Sequence, residues 1–178
     1  MTNINSYIEE KAERLLIESD CYLVPVDVEK CAAHLKVEIQ TLDLEDNVSG
    51  FFVMKGESAY IGYNKTNPPN RVRFTLAHEL GHYFLHAKDT PIFIDKNGQI
   101  NRDHNSSTGE LLIEREANAF AAALLMPEKL IREEVAKMKD VDEVSFISNL
   151  AMLFKVSDQA MTIRLTNLGL IDYNDFTA

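Results

Sequence analysis

The sequence predicts an α+β fold: a small antiparallel sheet, two long helices with polar residues set into apolar faces, and further helices at the C-terminus. Three observations lead there. Apolar residues recur at helical spacing over most of the chain outside residues 37–64. Residues 37–64 instead alternate and are rich in β-branched and aromatic side chains, as strands are. Glycine, proline and asparagine punctuate the borders between the two kinds of segment.

In chain order, "SYIEEKAERLLIES" gives a first helix over about residues 5–19. "PVDVEKCAAHL" gives a short second helix with Asp27 as its N-cap, where a carboxylate satisfies a free backbone N–H. "KVEIQTL" alternates as a strand, and "VSGFFVMK" and "SAYIGYN" form a hairpin across "GES". After "NPPN" a helix spans about 71–87, with Asn70 as candidate cap. "DTPIFID" is a short extended piece, and "KNGQINRDHNSSTGE" is a loop by its density of turn formers. "ELLIEREANAFAAALLM" is a long helix stopped at Pro127. Another runs from there to about Lys137, and two more flank "KVSD", with Ser157 capping the second and Gly169 ending it. The division read from this pattern is a domain over residues 1–138 and a helix-turn-helix-like segment, 139–178, packed on it.

The chain of 178 residues is 46% hydrophobic and 26% charged, enough to build a core without staples. Its net charge of −10 opposes nucleic acid as the main partner, because duplex affinity comes from Lys and Arg neutralising phosphates. Two cysteines, Cys21 and Cys31, are too few for a disulfide framework and read as buried small residues. The N-terminus lacks a basic stretch followed by an apolar one, so no secretory signal is visible. The longest apolar run, Ala119 to Met126, falls far short of the roughly 20 residues of a membrane helix. The expected location is the cytoplasm, with no membrane partner.

The helix over 71–87 carries "RFTLAHELGHYFLH". His78 and His82, four apart, differ by about 40° around the axis and about 6 Å along it. Two imidazoles so placed can converge on one ion, as zinc requires. Glu79 lies on the same broad side and can reach a water at the metal without ligating it. Chance gives the pattern in about one such chain in a hundred, so it needs support from elsewhere. His86 continues the series but stands about 12 Å from His78, too far for a shared metal. It reads as a cleft-edge or core residue.

A third ligand is expected from another helix, as in sites with two histidines and one glutamate. In "EREANAFAAALLMP", Glu114 and Asn118 share a face with the small residues Ala117, Ala121 and Ala122. That face could approach the motif helix closely, with Gly81 opposite it. Glu114 is then the candidate ligand, and Asn118 a candidate to orient a histidine through its second ring nitrogen. Glu116 points about 200° from Glu114 and reads as a solvated charge beside Arg115.

At these two stretches the chain resembles the ImmA/IrrE family of zinc metallopeptidases. The hairpin before them and the helices after them fit as well, so the resemblance covers most of the chain. It implies a zincin-like, gluzincin-type fold with His78, His82 and Glu114 holding one zinc, or manganese as a substitute, and Glu79 as general base. It also implies a protein substrate: a helix-turn-helix repressor, encoded nearby, whose cleavage relieves repression of a mobile element, prophage or stress regulon. The residues alone reach a metal-dependent hydrolase, with a peptide favoured because a strand edge beside a metal cleft can pair with an extended chain. The 48–64 hairpin is the candidate edge.

Two other classes compete. "AMLFKVSDQAMTIRL" has helix-turn-helix spacing, but the expected exposed face of its second helix, Asp158, Gln159, Thr162, Thr166 and Asn167, has Arg164 as sole cation, too few for phosphates. The second alternative is a catalytically silent antitoxin or scaffold that keeps the metal and binds a partner without turnover. His104 in the loop and Tyr60 and Tyr63 on the hairpin are further cleft candidates, and Arg71 and Arg73 are expected to hold carboxylates or the sheet.

Overall fold

The computed structural model describes residues 4–45, 47–87, 92–96, 107–138 and 143–172. Its elements are α1 (Ile4–Glu18), α2 (Val28–His34), β1 (Val37–Leu42), β2 (Val48–Lys55), β3 (Ser58–Asn64), α3 (Pro69–His86), β4 (Ile92–Lys96), α4 (Ser107–Leu125), α5 (Glu128–Lys137), α6 (Glu143–Phe154) and α7 (Asp158–Asn167). The caps are largely those the sequence predicts. Asp27 accepts from the Lys30 backbone N–H at 2.9 Å, and Ser157 accepts from that of Ala160 at 3.1 Å. Asn70 is not a cap. Pro69, with φ fixed for a helix, takes the first turn, and Asn70 donates to the Val156 carbonyl at 3.0 Å.

The α+β class stands, but the four-stranded sheet is mixed, in the order β1-β3-β2-β4. β2 and β3 form the predicted hairpin, tightened by Gly56 at φ +63°. β1 pairs with β3 in parallel. The cause lies at Asn64, at the end of β3. Its buried amide collects the carbonyls of Leu44, Glu45 and Val48, holding the β1–β2 connection across that end. The hairpin is therefore not a free edge: β1 covers β3 and β4 covers β2. Among the described residues, β1 and β4 are the edges.

One face of the sheet carries Phe52, Ala59 and Ile61 into the core, where α1, α2, α3, α4 and the C-terminal helices meet. Cys21 and Cys31 are buried and free, and burial pushes the Cys31 thiol up to about 12. Helices α6 and α7 belong to the same core through Leu150, Phe154, Met161 and Leu165. Arg164, expected on the exposed face of α7, is buried instead. It pairs with Glu9 of α1 at 2.5 Å and donates to the Met126 carbonyl at 2.9 Å. No helix among the described residues is long and apolar enough to cross a membrane.

Helices α3 and α4 cross at Gly81. A Cβ placed there would stand 3.1 Å from the Cα and 3.2 Å from the carbonyl oxygen of Ala117. On either side the contacts advance in step, His78 with Glu114 and Phe84 with Phe120, so the two helices run in the same direction. The glycine and the alanine stripe thus meet as their sizes predict. Gly81→Val would force branched bulk against Ala117 backbone. Chemical denaturation should show a loss of about 1–3 kcal/mol; a variant as stable as the parent would mean that the helices stand further apart.

Candidate active site

Helix α3 presents two stripes. Arg71, Thr75, Glu79 and Tyr83, spaced by four, lie along β2. Arg71 donates to Ser49 Oγ at 2.7 and 3.2 Å, and Tyr83 meets Phe52 edge-on at 5.6 Å. Phe74, His78 and His82 face α4, with Phe74 stacked beside His78 at 6.3 Å. One turn of helix separates His78 from His82, and their Nε2 atoms lie 2.9 Å apart.

Glu114 reaches both. Its Oε2 stands 3.3 Å from His78 Nε2, and its Oε1 3.4 Å from His82 Nε2. One ligand atom from each of the three residues falls within 4.8 Å of the others, so the group could hold a metal ion. Both histidines are buried, and Glu114 is intermediate. Burial drives the Glu114 carboxyl upward, but hydrogen bonds and charge from His78 and His82 outweigh it and hold the group well below the usual carboxylate range. Burial lowers His82 against the pull of Glu114, with His78 and His86 adding to the lowering. Neutral imidazole and ionised carboxylate are the forms that bind metal.

Glu79 lies outside this cluster, fully buried, with its carboxylate toward Gly50 of β2. His86 follows one turn after His82, its ring 6.1 Å from that of His82. Glu116 departs from expectation. It is not a solvated charge: its Oε2 stands 3.4 Å from His86 Nε2. The close crossing at Gly81 turns both flanks of α4 toward α3, so a residue off the Glu114 face still meets a histidine. Asn118 is exposed, one turn beyond Glu114, and His78 Nδ1 has no hydrogen-bond partner among the described residues. The expected Asn118 contact is therefore not made at His78. Tyr60 sits between Ala59 and Ile61, so the pleat turns it away from α3. Tyr63 accepts from Thr41 Oγ1 on β1 at 2.8 Å. His104 lies outside the described residues. Arg71 holds the sheet, and Arg73 holds the Val26 and Lys155 carbonyls.

The sequence reading missed Gly50, Ser49 and Thr75. Its available signal was a glycine inside a strand, which often marks the close approach of another element.

A helix bearing His-Glu-x-x-His, crossed by a glutamate-bearing helix over a small mixed sheet, defines a zincin-like metallopeptidase fold. The chain belongs to the family described as IrrE N-terminal-like domain, a peptidase family whose model matches residues 32–166. It is 34% identical over 103 residues to the radiation response metalloprotease IrrE of Deinococcus radiodurans, covering 58% of this chain and 29% of that protein. It is 25% identical over 97 residues to the metallopeptidase ImmA of Bacillus subtilis, covering 54% and 50%. An uncharacterized immunity region protein of Bacillus phage phi105 is 23% identical over 117 residues, covering 66% and 69%. The chain thus spans half or less of the two named peptidases.

The depressed His82 value sets a pH dependence. With the folded value below the unfolded one, the unfolded chain binds more protons between the two. The contribution is complete above the unfolded value of 6.5 and is lost as pH falls through the folded one. Glu114 has the same sign from 4.5 downward. The melting temperature of the metal-free chain should fall on acidification below about pH 6.5, and less steeply in His82→Gln. Equal slopes in the two proteins would show that His82 does not govern this range.

Proposed function

We propose that the chain is a zinc-dependent endopeptidase of the cytoplasm whose substrate is a helix-turn-helix transcriptional repressor, cut to relieve repression of a mobile element, prophage or stress regulon. The observation that carries the peptidase reading is the convergence of His78 Nε2, His82 Nε2 and the Glu114 carboxylate between two helices. The repressor reading draws on the immunity-region relative and on family membership. Direct DNA binding has less support, because burial of Arg164 leaves the exposed face of α7 without that cation.

Two nitrogens and one carboxylate oxygen fit zinc, with manganese as a substitute. When bound, the ion supplies a Lewis acid that polarises the scissile carbonyl and acidifies a water. His78, His82 and Glu114 would hold it. Glu79, outside the ligand set, accepts the water's proton at its carboxylate and passes it to the leaving amine. Glu116 stands against His86, its Oε2 3.4 Å from the imidazole Nε2. An extended substrate strand would add to the edge of β4, since β4, and not the hairpin, is the edge strand beyond β2 among the described residues.

One observation favours the second reading, a metal-binding scaffold without turnover: Glu79 is fully buried. Incubating the zinc-loaded chain with the repressor encoded beside it, and mapping any cut, separates the two. Glu79→Gln should keep its metal and its melting temperature and lose about 10²–10⁴-fold in cleavage rate; cleavage at the parental rate would refute Glu79 as base.

Elemental analysis after reconstitution should give one divalent ion per chain. In metal titrations Glu114→Ala should lose far more affinity than Glu116→Ala, because only Glu114 reaches both histidines. The reverse order would transfer the third ligand to Glu116.

A further inference from the structure

β2 and α3 approach closely at Gly50. A Cβ placed there would lie 2.4 Å from Thr75 Cγ2, 2.9 Å from the Gly62 carbonyl oxygen and 3.6 Å from Glu79 Oε1. The β2–β4 register shifts between Val48 and Gly50, an irregularity at Ser49. Such a bulge re-aims a side chain. Here Ser49, buried, accepts both Arg71 hydrogen bonds while Gly50, its neighbour, also meets α3. Arg71, Thr75 and Glu79 are consecutive turns of one stripe. The strand therefore grips α3 one and two turns before Glu79, and no side chain at position 50 stands between it and that carboxylate.

We propose that Gly50 and Thr75 are positioning residues for Glu79: the missing side chain at 50 and the Thr75 methyl together set where the Glu79 carboxylate stands relative to His78 and His82. This rests on Glu79 being the general base. Of the three candidate metal ligands, His78 and His82 lie on the other stripe, against α4, and Glu114 on α4 itself; that crossing is fixed separately at Gly81 and Ala117. A methyl at position 50 would have the base, and no ligand atom, among its three nearest neighbours. Base and metal are thus adjusted by different neighbours. Displacements on the order of 1 Å cost up to about 10²-fold in rate, so the expected signature is a loss of turnover with the metal retained.

The test compares zinc-loaded parent, Gly50→Ala, Gly50→Ala/Thr75→Ser and Glu79→Gln on the repressor encoded beside the chain. Gly50→Ala should lower kcat by about 10–10²-fold, with KM and zinc content near parental. Adding Thr75→Ser, which removes the methyl 2.4 Å away, should recover part of kcat. Parental kcat in Gly50→Ala, loss of zinc in step with activity, or no recovery in the double variant would each overturn the proposal. If Glu79→Gln itself cleaves at the parental rate, the base assignment falls first, and the positioning role with it. Melting temperatures give a readout free of substrate. Glu79→Gln alone should leave the melting temperature near parental but change the shift that Gly50→Ala causes; the same Gly50→Ala shift with Glu and with Gln at 79 would overturn the proposal even if the repressor proves not to be the substrate.

Discussion

The crossing of α3 and α4 at Gly81 and Ala117 is the contact on which the candidate site depends. A glutamate side chain is short compared with the separation of most packed helices. Glu114 spans to both histidines because, a turn away, Gly81 lies against the Ala117 backbone, where a Cβ would stand only 3.1 Å from the Ala117 Cα. The crossing also changes the cost of the polar groups. Two buried imidazoles and a carboxylate would each be unfavourable alone. Brought together, the imidazoles keep the Glu114 carboxylate charged despite its partial burial, while burial lowers His82 against the pull of that carboxylate.

Helix α3 then serves two partners at once. Its α4-facing stripe carries the histidines, and its sheet-facing stripe carries Glu79, an arrangement that follows from adjacency of 78 and 79 on a 3.6-residue turn. Each stripe meets a glycine, Gly81 within α3 itself and Gly50 on β2. The first brings in a ligand from another helix. The second lets β2 approach α3 beside the carboxylate, where a side chain would clash with Thr75. The two glycines do not share a contact, so the geometry of the metal set and that of Glu79 can vary separately within one fold.

The C-terminal helix pair braces this assembly. The turn between α6 and α7 receives Asn70 at Val156 and Arg73 at Lys155, both from the first turns of α3. Arg164 ties α7 to α1 and to the end of α4. These bonds fix the start of the helix whose middle carries the site. Helix-turn-helix spacing here produces an anchor in the core, and its cation is consumed by Glu9 and a carbonyl.

Much of the site was legible in the sequence because its signals are local or periodic. The spacing of His78 and His82, the face shared by Glu114 with Ala117 and Ala121, the need for a small residue at 81, and the caps at Asp27 and Ser157 all follow from helix geometry over a few residues. Non-local choices were not legible. Nothing in the alternation of residues 37–64 says that β1 joins β3 in parallel, because that order is set by Asn64 gathering carbonyls from a connection up to 20 residues away in sequence. Nor does it say that β4 covers the hairpin and removes its edge. A helical wheel put Glu116 and Arg164 on solvated faces; the partners that enclose them, His86 on another helix and Glu9 at the far end of the chain, are chosen by packing. The sequence by itself determined which groups can meet a metal, since turns of helix are rigid rulers. Only the tertiary structure decided what stands beside Glu79, because that depends on a strand irregularity and a glycine seated against a helix that begins after the hairpin has closed.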